Sequence, residues 1–105
     1  MYRQGDILIV PVPEESVPAG LVPADRDHRG RMVLALGEAT GHAHALQAPG
    51  TLLRDGGLMS PDYLHLPGGG RLSHEEHAAI VLPSGWYRIV RQREYLPGAV
   101  RVVAD

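Results

Sequence analysis

Glycine and proline punctuate this chain from end to end, and that punctuation constrains its fold more than any other feature. Thirteen glycines and nine prolines are spread along 105 residues. None of the segments between them carries the sustained three-and-four apolar repeat of an amphipathic helix, so short strands joined by turns are expected. The strand-like segments are residues 5–12 (GDILIVPV), 31–37 (RMVLALG), 41–46 (GHAHAL), 51–54 (TLLR), 62–66 (DYLHL), 82–95 and 99–104. Pro11 and Pro13 mark the first of these as an edge or ending strand, and residues 13–30 read as the longest loop. The expected architecture is all-β: a single domain over residues 1–105, built as a small β-barrel or sandwich of about seven short strands with little helix.

Composition narrows the function classes. Apolar residues make up 44% of the chain and the formal net charge is −2, which is the balance of an ordinary globular protein rather than a disordered one. Cysteine is absent, so thiolate nucleophiles, disulfides and thiolate zinc sites are excluded, and a bound metal would need nitrogen and oxygen ligands. The apolar run near the N-terminus spans only Ile7 to Pro13 and is broken by Pro11. It is too short for a membrane span and has no small-residue cleavage site, so a cytoplasmic protein with no membrane partner is expected.

Histidine placement is the main chemical signal. Of six histidines, four fall in two tight groups, His42 and His44 in "GHAH" and His74 and His77 in "SHEEH". On an extended strand, residues two apart share a face, which sets His42, His44 and Leu46 against Ala43, Ala45 and Gln47. The small alanines suit close packing, so the histidine face is expected to line a cavity or an opening, with Gly41 permitting a bulge. Ser73 followed by Glu76 is a capping-box pattern, and one helical turn would bring His74 and His77 to the same side. If the fold joins the two groups, His42, His44, His74 and His77 form a site for a divalent metal (zinc, iron, manganese or nickel). Glu38, Glu75 and Glu76 are the nearby carboxylates, the last two being candidate proton carriers. His28 sits in a charged loop and is expected to be exposed, while His65 is either a partner behind the site or a structural residue. The plainer alternative is two solvated pairs near turns.

All ten basic residues are arginine. Four of them lie between Trp86 and Ala104 with a single glutamate, a local positive excess that could attract phosphate or carboxylate groups. Alternation along "WYRIVRQREY" puts Tyr87, Ile89, Arg91, Arg93 and Tyr95 on one side and Trp86, Arg88, Val90, Gln92 and Glu94 on the other. Arg88, Arg91 and Arg93 are the candidate substrate-binding residues. One such strand falls well short of the dense basic surface of a dedicated nucleic-acid binder, yet it leaves a phosphodiester among the candidate ligands.

The stretch "GEATGHAH", Gly37 to His44, resembles the first motif of cupins, in which a glycine precedes a His-x-His pair on a barrel strand. "LPSGWYR", with Pro83 and Gly85, is similar to the Pro-x-Gly turn of their second motif. The resemblance implies a metal held by His42 and His44. Gln47 stands where a cupin carries a metal-binding glutamate and Arg88 where it carries a later histidine, so the other ligands would come from His74, His77 or a neighbouring glutamate. "GEATGHAH", "HEEH" and "RQREY" together also resemble small uncharacterised bacterial and phage proteins, a likeness that implies no activity.

Three functions are compatible with these residues. The first is a metal-dependent hydrolase or oxygenase acting on a small anionic substrate. The second is a metal-independent RNA-cleaving enzyme using a histidine acid/base pair. The third is a non-enzymatic binding or assembly module. An exposed edge strand would also offer a route to a homodimer.

Overall fold

A computed structural model of the chain describes residues 1–36, 42–55, 61–91, 93–96 and 99–102. It is all-β, with twelve short strands among the described residues and one 3₁₀ turn at Glu14–Ser16. The strands are β1 (Tyr2–Gln4), β2 (Ile7–Val12), β3 (Val22–Pro23), β4 (Met32–Leu36), β5 (Ala43–Leu46), β6 (Thr51–Arg54), β7 (Asp62–Leu66), β8 (Gly70–Leu72), β9 (Ile80–Leu82), β10 (Gly85–Arg91), β11 (Arg93–Leu96) and β12 (Ala99–Val102). Six of them form an antiparallel sheet in the order β1-β2-β10-β7-β6-β3. Three further antiparallel pairs, β4-β5, β8-β9 and β11-β12, complete the set. The described strands do not close into a barrel, and β1 and β3 end the large sheet.

A second layer forms because β5 and β8 touch. Ser73 N–H donates to Ala45 O (2.8 Å) and Ala45 N–H donates to Ser73 O (3.0 Å), which joins the β4-β5 and β8-β9 pairs edge to edge. Both layers contribute to one apolar cluster, with Ile9, Leu64 and Ile89 from the large sheet and Leu34, Leu46 and Leu72 from the other. Burial follows the two-residue period wherever one face is wet: in β10, Tyr87 and Ile89 are buried and Arg88 is exposed, as the alternation predicts.

Turn chemistry explains the strands that the sequence pattern did not resolve. Gly5 has φ +58°, and among the described residues no non-glycine residue has positive φ. Gln4 therefore pairs with Ile7 across a two-residue Gly5–Asp6 loop of the II′ class, and Tyr2–Gln4 becomes a strand of its own. Pro11 lies beyond the last residue paired with β1 and faces β10 alone, where its missing N–H leaves no gap on a second side. In "PGGG", Gly69 has φ +74°, and a Cβ there would stand 2.6 Å from Leu82 O, so the β8-β9 pair depends on this glycine. The expected loop at 13–30 contains only the 3₁₀ turn and two-residue β3 as regular structure.

Antiparallel pairing collects several chain reversals at one rim. Gln4, Ile7 and Arg91 form one row across β1, β2 and β10. Asp62 pairs with Ile89, and β6 ends at Arg54, at the same end of the sheet. The second layer reaches this rim at the middle of β4, where the register shifts between Val33 and Ala35. No helix among the described residues is long and apolar enough to cross a membrane.

Leu64 is fully buried at the centre of the core. Replacing it with alanine is expected to lower unfolding free energy by roughly 2–5 kcal/mol, measured by urea titration. Val81→Thr, at a 70% exposed position, is expected to stay within about 0.5 kcal/mol of the parent.

Candidate functional site

The two histidine groups converge. The Ala45–Ser73 bridge sets residues 74–77 beside the start of β5, and the ring of His74 lies 4.4 Å from that of His44, 4.7 Å from that of His77 and 5.5 Å from that of His42, centre to centre. The His44 and His77 rings are nearly parallel, at 6.2 Å.

His44 occupies the core face of β5, beside Leu46, and is fully buried. The alanines pack closely, as expected, but the histidine face of β5 does not open to solvent, because all four residues of the strand are buried. His42, just before the strand, keeps 20% of its side chain exposed.

Two residues that the sequence reading passed over hold His44. Gln4 Nε2 donates to Leu72 O (3.2 Å) and Ala78 O (3.0 Å), which turns Gln4 Oε1 toward the imidazole. His44 Nδ1 lies 2.9 Å from that oxygen and therefore carries a proton to donate. His44 Nε2 lies 3.1 Å from Asp6 Oδ1, and this contact holds one proton, whichever of the two atoms bears it. Gln4 and Asp6 are each 2% exposed, although Asp6 sits at a hairpin tip, where solvent exposure is the rule. The signal available in the sequence was "QGD", a glycine-aspartate turn flanked by an uncharged polar residue and an apolar run.

Residues 74–77 do not form the expected helical turn. They bend, and the capping role falls to His74 rather than Ser73: His74 Nδ1 accepts from the N–H of Glu76 (3.0 Å) and of His77 (3.3 Å). Ser73 uses its backbone in the bridge to Ala45 instead. Glu75 accepts the Ala43 N–H at 2.8 Å, and this bond, with help from its own N–H and the neighbouring histidines, holds its carboxyl below the ordinary range. A group so fixed in its ionised form is a poor proton donor near neutrality. Glu76 is 59% exposed, with Oε1 3.7 Å from His42 Nδ1. His77 Nε2 is buried with no hydrogen-bond partner among the described residues, the kind of orphan that a native structure normally satisfies with water, an ion or a ligand.

The arginines divide between the two faces of the large sheet. Arg88 is exposed on the outer face, where His65 stacks on Trp86 with ring centres 4.2 Å apart; His65 is thus a structural residue outside the cluster. Arg91 turns inward and donates to Leu34 O (3.1 Å) and to the buried carboxylate of Asp62. Arg54 donates to the same carboxylate (2.9 Å) and to Val33 O (2.8 Å). The register shift in β4 falls at these carbonyls, and the two arginines tie that strand to the large sheet. Arg93 lies in β11 with its side chain outside the described residues, and Glu38 and Gly41 lie outside them altogether. His28 is exposed, as expected.

Gln4→Ala would leave His44 Nδ1 and two backbone carbonyls without their partner. It is expected to cost at least about 1–3 kcal/mol of stability, read from urea midpoints. Because the Glu75 pKa is lowered by folding, its contribution is present above the unfolded value, near 4.5, and is lost as pH falls through the folded value. Glu75→Gln is therefore expected to flatten the loss of stability below about pH 4.5, followed as unfolding midpoint against pH.

Comparison with known proteins gives a family without an activity. No curated protein and no solved structure matches the chain. The cupin resemblance gains no support, since the histidine strand lies in an open two-layer structure rather than a closed barrel. The likeness to uncharacterised proteins is the one that stands: a family model matches residues 3–92, and the chain belongs to the family described as Domain of unknown function (DUF8820).

Proposed function

We propose that the histidine cluster binds a divalent transition metal and that the bound metal acts on a small anionic substrate. The observation that carries this reading is the buried His77 Nε2, without a hydrogen-bond partner among the described residues, within a group of four imidazoles. A second observation agrees with it. Donors held at about 2.0–2.2 Å from one metal stand roughly 3–4 Å apart, and His42 Nδ1 and Glu76 Oε1 are separated by 3.7 Å. His42, His77 and Glu76 then make two nitrogens and one carboxylate, a set that suits zinc, iron, manganese or nickel and leaves positions open for water or substrate.

In this reading His44 is not a ligand. Its nitrogens face Gln4 and Asp6, and it serves as the fixed wall against which His74 packs. His74, whose Nδ1 caps the bend, holds Glu76 and His77 in place. Glu75 secures the start of β5 through Ala43. The metal would supply an activated water at neutral pH or a site for oxidation; hydrolysis needs no further co-substrate and is the simpler chemistry.

One observation favours a second reading. Among the described residues no three histidine, aspartate or glutamate side chains already converge as metal ligands, so metal binding requires side-chain rotation within the cluster. Acid/base cleavage of a phosphodiester by the partly exposed His42 and His74 requires none.

Metal analysis of protein purified without a histidine tag separates the two. About one equivalent of zinc, iron, manganese or nickel is expected, with calorimetric rebinding after chelation and loss of rebinding in His77→Ala and Glu76→Gln. Absence of all four metals, together with no calorimetric binding, would sink the metal reading. Cleavage of an RNA substrate in excess chelator would establish the alternative.

A further inference from the structure

The Asp62 cluster is not balanced in charge. Two guanidiniums share one buried carboxylate, which leaves this group of three side chains with an excess of one positive charge. We propose that Arg54 and Arg91 form an anion subsite for a phosphate or carboxylate group, with Asp62 orienting both guanidiniums.

Three features support it. Asp62 exposes 7% of its side chain, whereas Arg54 exposes 38% and Arg91 22%, so the positive groups are reachable and their counter-charge is not. The bonds to Asp62, Val33 O and Leu34 O engage Nε and Nη2 of Arg54 and Nη2 of Arg91. Nη1 of each arginine makes no hydrogen bond among the described residues, and a guanidinium held by fixed acceptors on one edge presents the other ready for an oxyanion. Position is the third feature. Arg91 pairs with Ile7, the neighbour of Asp6, and donates to Leu34, the neighbour of the residue paired with His44. Two carboxyl groups set the limits of the site: Asp6 is committed to His44, and exposed Asp55 has a partner of its own.

As the place that holds the anionic part of a substrate, this subsite rests on the metal reading; as an anion site it does not. Its test therefore uses metal-free protein. Inorganic phosphate, titrated in chelator, is expected to give saturable heat and to raise the melting temperature beyond what chloride gives at equal ionic strength. Arg54→Gln is expected to weaken phosphate binding about tenfold or more, while Arg88→Gln on the outer face leaves it unchanged. Should Arg54→Gln prove unstable, Arg54→Lys, which keeps the charge but loses the fork, is expected to bind phosphate more weakly than the parent. Absence of phosphate-specific heat and stabilisation in the unmodified protein overturns the subsite, as does unchanged affinity in a folded Arg54→Gln variant. Phosphate binding without metal binding would remove the metal reading and leave the subsite standing.

Discussion

The placement of the clustered histidines depends on two backbone hydrogen bonds, those exchanged between Ala45 and Ser73. They are ordinary ladder bonds, each contributing on the order of 1 kcal/mol, yet they fix where residues 74–77 lie relative to β5. Once that edge is joined, His74 meets the ring of His44 and Glu75 reaches the Ala43 N–H. Gln4 then finds Leu72 O and Ala78 O within reach of one amide. Side-chain polarity alone would not assemble such a cluster. Burying an imidazole and a carboxylate is costly unless each is satisfied, and it is the backbone frame that brings the satisfying groups within bonding distance.

Much of the fold could be read from residue types, and the parts that could not have physical reasons. Strands at 51–54 and 62–66 were legible because turn residues bracket them, and the alternation in 86–91 correctly separated Tyr87 and Ile89 from Arg88. β1, β8 and β9 escaped because three residues are too few to show a period. Their strand character comes from pairing partners, in β1 from a turn that glycine makes possible. The convergence of His42, His44, His74 and His77 was anticipated from their clustering. The sense of the β5 faces was not, because alternation tells which side chains share a face and not which face a second layer will cover. Gln4 and Asp6 were invisible for a related reason: polar residues at a hairpin look solvated until the chain that covers them is in place.

The rim gathers two buried polar groupings with different tasks. Gln4, His44 and Asp6 fill the interior behind the other three clustered histidines, while Arg54, Asp62 and Arg91 secure the irregular middle of β4 by taking up Val33 O and Leu34 O. Both draw on more than one strand and on both layers, so each resists sliding of one layer over the other. The rest of the interior is largely aliphatic, with Tyr63 and Tyr87 buried and no phenylalanine, and aliphatic cores tolerate alternative packings of similar volume. In this chain, polar contacts of fixed geometry select among the packings that an aliphatic interior would tolerate.

The Gln4 amide has a bearing on how the molecule is made. Its two carbonyl acceptors lie 68 and 74 positions further along the chain, and the imidazole it orients lies 40 further. During synthesis, the first hairpin is complete before Leu72 and Ala78 have been added to the chain. Until then Gln4 and Asp6 are hydrated by water, and closure of the interior must wait for β8 and the segment after it. Such long-range dependence places the molecule among slow-folding topologies, with the polar heart of the fold among the last parts to be sealed.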